Sequence, residues 1–179
     1  MRFLRHASRA AILLAALPLA AAAAAPCVTV DHQAYCRAWS AKNAARSKTE
    51  FLRSGERLDN WQNMITILRY NNSSLTGAIR SYMSVVQADM GPADRPVWIA
   101  PTHGSHQAAA ATRLVLQTPD WSESEYVVVY FFSDPGKPVY AIAFSQRLPL
   151  PSDEIPTMSQ YGHWLSDLQA MPAALVAAI

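Results

Sequence analysis

Chemistry in this sequence has one obvious place to start, Pro101-Thr102-His103-Gly104-Ser105-His106, where two imidazoles three positions apart stand among hydroxyls in a turn. Neutral imidazoles are metal ligands, but a usable site needs a third, and His32 or His163 would have to join His103 and His106 from elsewhere in the fold. With Ser105 added, the same loop describes a small hydrolase or metal-dependent enzyme. Gly104-Ser105-His106 is not a nucleophile elbow, however, which takes G-x-S-x-G at a strand-to-helix turn. Acid pairs stand at Glu123/Glu125, ahead of a strand, and at Asp153/Glu154, in a proline loop. Two carboxylates divide acid and base work only when burial separates their pKa values, so both pairs read as solvated surface. Six glycines leave no phosphate-cradling loop. The expectation is a chain with no catalytic residue, no metal and no cofactor, the His103/His106 loop being the alternative.

The two cysteines do point somewhere. Cys27 and Cys36 are nine positions apart, a spacing that fits neither a redox CxxC nor a zinc knuckle, and in an oxidising compartment such a pair closes into a disulfide. Two free thiols or a metal pair are the alternatives. The N-terminus suggests that compartment. Arg2, Arg5 and Arg9 precede an apolar run and then a tract of alanines, the order of a cleavable secretory signal peptide over residues 1–24. The run is too short to span a bilayer, which takes about 20 residues, and Pro18 interrupts it. Pro26 ahead of Cys27 argues against lipidation. Loss of three arginines turns the net charge of +2 into −1. No basic patch then remains to bind nucleic acid or an anionic membrane surface. The expected location is the periplasm, with full secretion second, and no integral membrane segment in the mature chain.

Periodicity supplies the elements that would position any site. Residues 31–45 carry Tyr35, Ala38, Trp39 and Ala45 at loose helical spacing, a weak helix or arm. Strands are expected at residues 49–53, 64–70, 96–100, 111–118, 125–133 and 138–147, with Ser133-Asp134-Pro135-Gly136-Lys137 turning the last two into a hairpin. Leu75, Ala78, Ile79, Tyr82, Met83, Val86 and Met90 line one helical face, capped by Ser73 or Ser74 and ended by Gly91-Pro92. A final helix carries Met158, Tyr161, Trp164, Leu165 and Leu168. The order β-β-α-β-β-β-β-α predicts an α+β fold, an antiparallel sheet of about five to six strands with both helices on one face. Residues 25–48 form an N-terminal arm and residues 49–179 the single domain.

Gly55-Glu56-Arg57-Leu58-Asp59-Asn60-Trp61-Gln62-Asn63-Met64-Ile65-Thr66 resembles a GE-x-L-x-N-W-x-x-M-x-T segment of uncharacterised exported proteobacterial proteins. With the element order, the chain also resembles the PsbP-like and DcrB-like α+β fold. That likeness implies an exported protein that binds a partner and lacks a shared enzymatic site; a fold does not itself carry a function. The segment has a structural reading, with Gly55 as a turn and Trp61 as an apolar anchor, and a functional one, with Glu56, Asp59 and Trp61 lining a ligand groove. Tyr126 and Tyr130, with Phe132, Tyr140 and Phe144, give the hairpin either a covered core face or an aromatic partner surface. The function expected is a periplasmic non-enzymatic binding or accessory protein that holds a protein or a small apolar ligand.

Overall fold

The computed structural model describes residues 25–91, 94–100, 106, 108–117, 122–152, 154–171 and 176. Among them, eight strands form one antiparallel sheet: β1 (Cys27–Val30), β2 (Gln33–Lys42), β3 (Arg46–Leu52), β4 (Asn63–Tyr70), β5 (Val97–Ile99), β6 (Ala108–Gln117), β7 (Glu123–Ser133) and β8 (Val139–Pro149). Helix α1 (Leu75–Val86) lies between β4 and β5, and α2 (Met158–Ala170) follows β8. The spatial order β1-β2-β3-β4-β8-β7-β6-β5 is two four-stranded meanders joined where β4 pairs with β8.

Two features of the expected fold are corrected. The first is the strand count. The segment read as a helix or arm is the hairpin β1–β2, reversed at Asp31-His32, whose φ angles of 51° and 59° give the doubly left-handed two-residue turn that matches strand twist. In β2 only Tyr35 is buried, so this strand, second from the sheet edge, shows no alternation of apolar and polar residues. The second concerns the helices, which lie on opposite faces of the sheet. Along β7, Tyr126, Val128, Tyr130 and Phe132 share a core with Tyr161, Trp164, Leu165 and Leu168 of α2. Val127, Val129 and Phe131 point the other way, into the core that includes Ala78 of α1. Both faces of β7 are therefore covered, which is why its sequence is apolar at successive positions.

The chain path explains how each face is covered. From the end of β4 in mid-sheet the chain must reach β5 at the far edge, and α1 makes that crossing over β6, β7 and β8. Its Ser74 side chain accepts a hydrogen bond from the Gly77 N–H at 3.1 Å, and the α-helix ends at Val86 in a 3-10 turn (Gln87–Asp89), one turn short of the periodicity. Helix α2 doubles back beneath β7 and β8 and also meets Val28 and Val30 of β1. The Asp31 N–H donates to the Asp167 carboxylate at 2.7 Å and ties the hairpin to the helix. A capping box of Thr157 and Gln160 fixes where α2 begins. Among the described residues, no helix lies over the α1-side face of β2 and β3.

Candidate ligand-binding groove

Between α1 and that part of the sheet lies a groove of about 430 Å³, within the size range of small-molecule sites. Its floor is Met64, Thr66, Leu68 and Tyr70 of β4 with Ala143 and Ser145 of β8. One wall is Tyr82, Val85 and Val86 of α1, and the other is Trp39, Ala41 and Lys42 of β2 with Arg46 and Lys48 of β3. Trp39 at 41% exposure and Val85 at 57% stand apolar and open on facing walls. Tyr82 is held by an edge-on contact with Phe131, ring centroids 5.4 Å apart.

Among the oxygen-bearing side chains that line this space, Tyr70 and Glu125 stand out. Tyr70 is 4% exposed, and its hydroxyl has no hydrogen-bond partner among the described residues. Burial pushes that hydroxyl up to about 12, against the field of Arg46 opposite it on β3. A buried unpaired hydroxyl costs about 1–3 kcal/mol, a cost relieved by a partner that arrives from outside. Glu125 lines the far end of the groove, eight register positions along β8 from Tyr70, since Tyr70 pairs with Val139 and Glu125 with Arg147. Burial holds its carboxyl above the ordinary glutamate value; a hydrogen bond with Ser145 and the fields of Arg147 and Lys48 pull the other way, and Asp89 adds to the rise.

Glu125 is the residue that sequence reasoning passed over. Glu123 and Glu125 do not precede the strand but belong to it. Val127 and Val129 show the phase of β7, and stepping back by two from Val127 lands on Glu125, on the face of the groove.

The residues singled out from sequence fall elsewhere. Cys27 and Cys36 are bonded across the β1–β2 pair. Glu56 organises the loop between β3 and β4. Its carboxylate accepts from the Arg53 guanidinium at 2.6 Å and from the backbone N–H groups of Arg53 and Gln62. Burial alone would raise this carboxyl, but those hydrogen bonds hold it below the usual value. Asp59 pairs with Arg57 in solvent. Trp61 is buried with Leu52 and Met64, and the Arg147 guanidinium covers its ring at 4.0 Å, so it abuts the groove through Met64 without lining it. Tyr126 and Tyr130 are 5% and 1% exposed, beneath α2. Tyr35 stands edge-on to Phe144 within the same core.

His103 and Ser105 lie outside the described residues. His106 stacks on Phe132 at 4.1 Å, and its Nδ1 meets the Asp134 carboxylate at 3.1 Å. His32 is in the β1–β2 turn and His163 on the exposed side of α2. Among the described residues no three His, Cys, Asp or Glu side chains form a group able to hold a metal ion, and no helix is long and apolar enough to cross a membrane.

A protein-family model matches residues 23–162 of the chain. No curated protein and no solved structure matches it.

Proposed function

The chain belongs to the uncharacterised family whose model it matches, and from that premise we propose that it is an exported, non-enzymatic protein that binds a small, largely apolar molecule in the groove between α1 and β2–β4. The single observation that carries this reading is the groove itself, an apolar recess between α1 and the strands β2 and β3. Export is supported by the Cys27–Cys36 disulfide, which belongs in an oxidising compartment, and by the signal-peptide pattern of residues 1–24, and the periplasm is the location proposed. The likeness of residues 55–66 to exported proteobacterial proteins agrees.

A neutral fluorescent apolar probe, N-phenyl-1-naphthylamine, tests the reading directly. Ala41 lies exposed on β2, beyond the stretch that β1 pairs, and lines the groove, so Ala41→Trp fills the recess without entering either core. The wild-type protein is expected to bind the probe saturably, and Ala41→Trp to bind it at least tenfold more weakly. Equal binding by the two proteins would place the probe elsewhere and refute the groove.

A further inference from the structure

Resting on the groove reading, we infer that the ligand is a free single-chain carboxylate amphiphile, its head at Arg46 and Tyr70 and its chain along the floor toward Met64.

The two ends of the groove differ in what they still need. At the Glu125 end the carboxyl is bonded to Ser145, and between the ends Lys48, level with Leu68, is paired with Glu50. At the other end, Tyr70 has a buried hydroxyl with no partner among the described residues. Arg46, its register partner on β3, is exposed, lines the groove and makes no ion pair among the described residues. Lys42 adds a second cation to the same wall. A carboxylate there would accept from a phenol and a guanidinium together, a charge-assisted arrangement stronger than a neutral hydrogen bond.

Between the ends the floor is apolar except for Thr66. Tyr70 and Met64 are six residues apart on β4, about 20 Å at strand rise, and Leu68 with Ala143 lies between them. An extended hydrocarbon chain suits such a trough, and a compact polar solute would leave Leu68 and Val86 wet. The charges also exclude a cationic head at the Arg46 end, because Arg46 and Lys42 would face it with no carboxylate between them.

The test uses the full chain and three probes with one tail: dodecanoate, dodecanol and dodecyltrimethylammonium, each below its aggregation concentration. Each competes against bound N-phenyl-1-naphthylamine. Dodecanoate is expected to displace the dye with a Kd at least tenfold below those of the other two. Tyr70→Phe removes only the unpartnered hydroxyl, and Arg46→Gln alters an exposed side chain, so both variants should fold. Each should weaken dodecanoate about tenfold and leave dodecanol unchanged. If dodecanol or dodecyltrimethylammonium competes as well as dodecanoate, or the two variants leave dodecanoate unaffected, the ligand class is wrong while the groove stands. If the dye itself does not bind, the groove reading fails and this inference with it.

Discussion

The two faces of the sheet are built from alternate residues of the same strands, yet one is finished and the other is not. Beneath the sheet, Phe144 meets Trp164 at 4.6 Å and Trp164 meets Tyr161 at 5.4 Å, and α2 closes over β7, β8 and even β1. Above it, α1 covers β6–β8 and packs against the Leu68–Tyr70 end of β4 but stops at Val86, and between it and the strands β2 and β3 the groove stays open. Because each strand alternates its side chains, the chain can fill one face for stability and leave the other open without conflict between the two demands. Removal of atoms should therefore hurt most on the closed face, and addition of atoms should be tolerated only on the open one.

The largest expected effect is Trp164→Ala. It empties the centre of the closed face and should cost about 3–5 kcal/mol in urea unfolding at neutral pH. A loss below about 1 kcal/mol would erase the contrast between the faces. Next is removal of the disulfide by Cys27→Ala with Cys36→Ala. The short loop that it closes implies about 2–3 kcal/mol, with accelerated amide exchange in β1 and β2 and none in α1.

A third, smaller effect concerns pH and sets Glu125 against Glu56. Glu125 keeps its proton to higher pH in the folded protein than in the unfolded one. Its contribution is thus full at acid pH and is lost as pH rises from the ordinary glutamate value through the folded one. Glu125→Gln should flatten that part of the stability curve and raise the melting temperature at neutral pH. Glu56 is opposite: its folded value is lowered, so its contribution is present at neutral pH and lost as pH falls through the folded value. Glu56→Gln should lower the melting temperature at neutral pH and have little effect in strong acid. Identical pH profiles for the two variants would contradict both placements.

How much of this was legible beforehand depended on burial. Helices α1 and α2 could be read from the apolar face each turns to the sheet, strand β4 from its β-branched and aromatic run, and the hairpin β7–β8 from its Asp-Pro-Gly turn. Strand β2 could not, since a strand with one buried residue carries no period, and Asp31-His32 lacks the glycine that usually marks such a turn. The opposite placement of α1 and α2 was hidden for another reason. Which face a helix takes depends on where its flanking strands sit, and only the β4–β8 pairing decides that. The site was less legible than the fold. Groove residues such as Leu68 and Thr66 look like ordinary strand residues, and the Glu56–Trp61 segment drew attention with side chains that are engaged in loop structure.

The smallest effect sharpens the comparison most, because it asks the two faces the same question. Val128 is fully buried on the α2 side, where every neighbour already touches another, so Val128→Phe must push side chains off their rotamers at about 1–3 kcal/mol. Ala41→Trp adds more atoms, but into the groove, and should leave stability within about 0.5 kcal/mol of wild type. The pair separates an opening kept for a ligand from a merely loose core. A loose core would gain stability when filled and would accept the phenylalanine as readily as the tryptophan. If Ala41→Trp instead destabilises by as much as Val128→Phe, the space over β2–β4 is smaller in solution than its walls suggest, and the two faces are closed alike.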